Sequence, residues 1–155
     1  MQNTLLQRIG KQLEDWLPEG TIIKMEGTKA LEIITEHEAV VVNVPCEPLQ
    51  FLTGRLEDVW RPVRVEKITY IESNQKKTWF YAGDDSYCAT QTLKELLPRL
   101  PQQFLQVHRS YIVNIHSIVE ISKDIGAGYL VTMEDGAVLP VSQSFVSSVR
   151  KRLEF

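Results

Sequence analysis

Phe104-Leu-Gln-Val-His-Arg-Ser-Tyr-Ile-Val-Asn114 decides how this chain is read. The run is apolar and strand-forming, yet it carries His108, Arg109, Ser110 and Asn114. Polar groups left without partners inside a β-rich core are costly, so at least one of the four should leave the core at a turn and face a polar partner. Downstream, a turn signal at Glu134-Asp-Gly136 precedes Leu139-Pro-Val-Ser-Gln-Ser144. Upstream stands Val65-Glu-Lys-Ile-Thr-Tyr-Ile-Glu-Ser73.

Working outward, the pattern predicts a strand over 63–71 with Val65, Ile68 and Ile71 as core candidates. A polar turn over 73–77 follows, then strands 78–82 and 87–90 paired across Gly83-Asp-Asp-Ser86. A short helix over 92–100 has Thr92 and Glu95 spaced as a capping box, buries Leu93, Leu96, Leu97 and Leu100, and is limited by Pro98. Residues 104–107 begin a central strand, with further strands at 110–113 and 118–121. Residues 129–133 and 138–141 read as a hairpin, and 145–153 as a terminal helix capped by Ser142 or Ser144.

Residues 1–60 read differently. Leu5, Leu6, Ile9, Leu13, Trp16 and Leu17 form one helical stripe, closed by Pro18-Glu-Gly20. Short strands are expected at 21–25, 29–35 and 39–44, with Glu36-His37-Glu38 as a turn. Residues 49–52 read as a short helix or turn closing near Gly54, and Pro62 favours an edge or a linker. The boundary is expected near residue 60. This first part is too short for a standard receiver domain and shows no acidic pocket with a downstream lysine, so phosphorylation is not the expected input.

Hydrophobic content of 43% and charged content of 24% fit a soluble globular protein. No apolar run nears the ~20 residues of a membrane span, and no export signal is read, so a cytoplasmic setting without membrane insertion is expected. Cys46 and Cys88 make no disulfide framework. Of the three histidines, His37, His108 and His116, the last two have no cysteine or carboxylate at metal-ligand spacing, and no glycine loop suited to phosphate occurs. Ser110 near His108 has no oxyanion-hole glycine beside it. Neither catalysis nor a cofactor or metal is expected. The net charge of −3 argues against nucleic acid, but residues 1–60 hold five Lys/Arg against ten Asp/Glu, whereas 61–155 hold twelve against ten. A weakly basic module behind an acidic one is compatible with DNA.

Strand, polar tip, hydrophobic helix, then HRSYIVN, turn and PVS in that order resemble the LytTR-type DNA-binding domain of bacterial transcription regulators, over residues 61–155. The resemblance implies a mainly β fold (α+β overall) of elongated antiparallel sheets with short helices, here preceded by a small α+β segment at 1–60 for dimerisation or sensing. It implies a regulator that contacts successive major grooves of double-stranded DNA through strand-end loops, as a homodimer. Arg109 falls in a DNA-contacting loop of the family, with His108 beside it, and a guanidinium can donate two bonds to guanine or one to phosphate. His108 reads first as a structural hydrogen bonder and second as a base reader. The loop between the first two strands is Asn74-Gln-Lys-Lys-Thr78: Lys76 and Lys77 for phosphates, Asn74 or Gln75 for a base edge. The third region follows the PVS serine, where many members carry arginine and this chain has Gln143 and Ser144. Asn114 reads as structural, closing a turn before His116. Two alternatives stand beside this reading. One is a protein-interaction module of the same fold with a regulatory protein as partner. The other is a ligand- or metal-gated sensor using Cys46 or His37.

Overall fold

The computed structural model describes residues 12, 16, 17, 19, 21–26, 30–35, 39–43, 47–126 and 128–155. Two compact units emerge, 1–47 and 48–155. In the first, β1 (Ile22–Glu26), β2 (Ala30–Ile34) and β3 (Ala39–Asn43) form an antiparallel sheet in that order, pairing Ile22 with Ile34 and Ile34 with Ala39. The stripe residues Leu5, Leu6, Ile9 and Leu13, the turn Glu36-His37-Glu38 and Cys46 lie outside the described residues; Trp16 is exposed.

The second unit begins at Pro48, earlier than the expected break near residue 60. The reason is a hairpin, β4 (Phe51–Leu56) and β5 (Val59–Arg64), where the sequence suggested a short helix or turn. Gly54 is a strand residue rather than a terminator. A Cβ there would collide with the Phe80 ring and lie 2.7 Å from the Tyr87 Cβ, so glycine lets the next strands pack against the backbone. Leu52 is fully buried on the same face, which ties the hairpin to the second unit. Pro62 lies in the edge strand, as its missing N–H demands.

Next come β6 (Tyr70–Asn74), β7 (Lys77–Ala82), β8 (Asp85–Ala89), β9 (Phe104–His108) and β10 (Tyr111–Asn114). With the hairpin they make a seven-stranded antiparallel sheet in the order β5-β4-β8-β7-β6-β10-β9. The strand expected over 63–71 is interrupted: Val65–Lys67 is a 3-10 turn, closed by Ile68 N donating to Val65 O at 3.1 Å. Val65, Ile68 and Ile71 are nonetheless all buried. β9, read as central, is the edge of this sheet. Its apolar character comes from cover on that edge: Ser142 N donates to Val107 O at 2.9 Å.

Alternation along β6, β7 and β10 divides the side chains between two cores. On one face Ile71, Phe80 and Ile112 pack with Leu93, Leu96 and Leu100 of α1 (Leu93–Leu96) and its 3-10 continuation. The capping box is present, with Glu95 N donating to Thr92 Oγ1 at 3.3 Å and Thr92 N donating to Glu95 Oε2 at 2.8 Å. On the other face Tyr70, Val107 and Val113 meet a three-stranded antiparallel sheet, β11 (Ile118–Lys123), β12 (Tyr129–Met133) and β13 (Val138–Val141), and α2 (Gln143–Leu153). The β12–β13 turn has Gly136 at φ 87, the left-handed position that closes this loop. The chain is mostly strand with short helices, in antiparallel sheets.

Candidate nucleic-acid interface

Asn74 pairs with Lys77 across a two-residue tip, Gln75-Lys76, in which both central residues have positive φ, 50° and 62°. That geometry matches the twist of the flanking strands but strains residues that carry a Cβ. Asn74, Gln75, Lys76 and Lys77 are all exposed. The expectation for Thr78 is corrected: it is 6% exposed, second in β7, opposite Ser73 on one side and Ala89 on the other. Because the tip is only two residues long, the pleat turns Thr78 inward and Lys77 outward.

A second tip is Arg109-Ser110, between His108 and Tyr111 of paired strands β9 and β10. Arg109 is exposed. His108 is half-buried, and its Nδ1 accepts a bond from Ser110 N at 3.1 Å, so the imidazole braces this turn from inside. Asn114 is wholly inside the protein. Its Nδ2 donates to Ile68 O at 3.0 Å and its Oδ1 accepts from His116 N at 3.1 Å, closing the turn before His116.

Two backbone bonds bring these regions to one end of the sheet. Ser73 N donates to Ser110 O at 2.8 Å, joining the two tips side by side. The Ser142–Val107 bond sets the first turn of α2, with Gln143 and Ser144 exposed, beside the strand that leads into Arg109. The opposite end of the sheet holds the β4–β5 and β7–β8 turns, where Glu57, Asp58, Asp84 and Asp85 are exposed. Carboxylates crowd those far turns, with exposed Arg55 and Arg61 of β4 and β5 near them, whereas the two tips carry Lys76, Lys77 and Arg109 and no carboxylate.

Sequence reasoning passed over Glu72 and Tyr81, and read Tyr111 only as core or half-core; all three lie just behind the tips. Tyr81 Oη donates to Glu72 Oε2 at 2.8 Å and Tyr111 Oη donates to Glu72 Oε1 at 3.3 Å. Burial first, and the hydrogen bond to Glu72 second, push the Tyr81 phenol up; burial and then the Glu72 charge do the same for Tyr111. Both remain donors at neutral pH. The only hint in the sequence is a carboxylate inside an apolar strand, Tyr70-Ile-Glu72.

Residues 58–154 match the LytTr DNA-binding domain. The chain belongs to the LytTR family. The solved LytTr DNA-binding domain of a response regulator from Bacillus cereus is 36% identical, with a TM-score of 0.66 over 69% of this chain and 99% of that one. The sensory transduction protein LytT of Bacillus cereus is 31% identical over 134 residues, 86% of this chain and 54% of that protein. The transcriptional regulatory protein LytR of Staphylococcus aureus is 26% identical over 133 residues, 85% and 54% of the respective chains. This LytTR chain thus spans about half the length of these relatives. Among its described residues no helix is long and apolar enough to cross a membrane, and no group of three or more His, Cys, Asp or Glu is arranged to hold a metal ion.

Proposed function

We propose that this chain is a sequence-specific regulator of transcription that binds double-stranded DNA through the end of the sheet shared by the two hairpin tips and the start of α2. The observation that carries this reading is their adjacency: exposed Asn74, Gln75, Lys76, Lys77, Arg109, Gln143 and Ser144 meet at one end through the Ser73–Ser110 and Ser142–Val107 bonds. Lys76 and Lys77 neutralise phosphates and set register, and Arg109 with Asn74 or Gln75 reads base edges. Gln143 and Ser144 add neutral contacts where a cation would have added charge. Arg150, Lys151 and Arg152, in the last turn of α2, supply longer-range attraction.

One such end covers few base pairs, so a homodimer on tandem half-sites gives the needed specificity. Residues 48–155 form the DNA-binding unit and 1–47 serve dimerisation or sensing, in the cytoplasm. The test is selection of bound duplexes from a random pool, run on the whole chain and on residues 48–155. Enrichment of one motif by both supports the reading. Absence of enrichment by either leaves a protein-interaction module of the same fold.

A further inference from the structure

Glu72 stands opposite Tyr111 of β10 on one side and Trp79 of β7 on the other. A half-buried carboxylate just behind an end that faces phosphates is repulsive, and an apolar residue would fill a sheet position at no such cost. Both of its oxygens are engaged, by phenols from the two flanking strands. The Tyr81 ring stacks on buried Tyr70 with centroids 4.3 Å apart, anchoring one phenol in the core. The other belongs to Tyr111, whose ring lies 5.5 Å from that of His108, the residue bracing the Arg109-Ser110 turn.

The second tip is tied to the first by the Ser73–Ser110 backbone bond, and the ladder behind it is irregular. The β9–β10 register shifts between Tyr111 and Ile112, a bulge-like irregularity directly behind the tip. Bulges re-aim side chains and relax the pairing around them. The phenol–carboxylate bond attaches at Tyr111, at that irregularity. Hydrogen bonds are directional and hold orientation better than apolar contact does; the Tyr81 bond at 2.8 Å is the tighter of the two and the Tyr111 bond at 3.3 Å the longer.

We infer that Glu72 is a positioning residue for DNA readout, locking the Gln75-Lys76 and Arg109-Ser110 tips in one mutual register through Tyr81 and Tyr111. The inference rests on the DNA-binding reading above. The carboxylate touches no base; it decides whether Arg109 and the first tip present themselves to one duplex together.

The experiment uses the whole chain, the duplex enriched by selection and a random-sequence duplex of equal length. Glu72→Ala, Glu72→Gln and Tyr111→Phe are compared with wild type for affinity to each duplex and for salt dependence. Glu72→Ala and Tyr111→Phe are expected to lower the ratio of selected to random affinity about tenfold, the size of one misplaced base contact. In Tyr111→Phe, random-duplex affinity and salt slope stay near wild type, because charge and phosphate contacts remain; Glu72→Ala and Glu72→Gln lose a repulsive charge and should bind the random duplex no more weakly than wild type. Glu72→Gln can accept from one phenol and donate to the other, and should restore most of the ratio. Tyr111→Phe keeps the ring against His108 and carries the test if Glu72→Ala does not fold. An unchanged ratio in Tyr111→Phe, an equal loss on both duplexes, or no recovery in Glu72→Gln overturns the role of Glu72 while DNA binding stands. A wild type that binds both duplexes alike overturns the DNA-binding reading and the inference with it.

Discussion

Arg109 and Asn114 come from the same eleven-residue stretch and have opposite fates. Asn114 satisfies two backbone groups inside the protein, while Arg109 is held out at a turn whose inner face is filled by His108. Removing the Asn114 amide leaves Ile68 O and His116 N without that partner. Asn114→Ala should therefore cost about 1–3 kcal/mol of stability. A urea midpoint equal to that of wild type would show that water replaces both bonds. Arg109→Ala should leave the urea midpoint alone, yet weaken binding to the selected duplex by ~1–3 kcal/mol and relax preference at one base position. Gel-shift titration with single-base variants of the duplex reads both effects, and unaltered preference would remove Arg109 from the reading set.

At the level of elements, the β6–β7 hairpin pays in stability for its tip. Gln75 and Lys76 both occupy the left-handed region, where a Cβ costs on the order of 1 kcal/mol. Replacing the pair by Asn-Gly should stabilise the protein by about 1 kcal/mol. The same change removes one cation, so the slope of log affinity against log salt should fall by ~0.9. A steeper or identical slope would mean that Lys76 touches no phosphate. The stacked tyrosines behind this hairpin carry a pH signature. Burial first, then the charges of Asp135 and Glu72, push Tyr70 up to about 12 from its ordinary 10.0. A raised folded-state value means that its share of stability is complete below pH 10 and is lost as pH rises through about 12. Urea midpoints at about pH 9 and about pH 11.5 should differ in that direction; equal midpoints would mean that Tyr70 ionises as freely in the fold as in the unfolded chain.

For the whole molecule, the compact unit and the family match begin at different residues, Pro48 and Asp58. The difference is β4, which carries buried Leu52 and the Gly54 backbone on which Phe80 rests. A fragment of residues 48–155 should melt cooperatively and bind the selected duplex. A fragment of residues 58–155 loses a core leucine together with the strand that covers Phe80, a loss of roughly 3 kcal/mol or more. Equal melting of the two fragments would show that the hairpin is an accessory to this core.

Much of the second unit was legible in its residues because the deciding forces are local. Thr92 and Glu95 announced a capping box and Glu134-Asp-Gly136 a hairpin through contacts within a few residues, and Val65, Ile68 and Ile71 a buried set through their apolar spacing. Parity and partnership were not legible. Thr78 faces inward because the tip before it has two residues rather than more, and a one-residue change in turn length exchanges the faces of a strand. β9 is apolar at an edge because β13 and α2 cover it, which no window of its own sequence records. The meeting of Lys76, Arg109 and Gln143 at one end, and the grip of Glu72 on two tyrosines, depend on strands distant in the chain pairing in register. That pairing follows from packing two cores on opposite faces of one sheet, and only the folded chain expresses it.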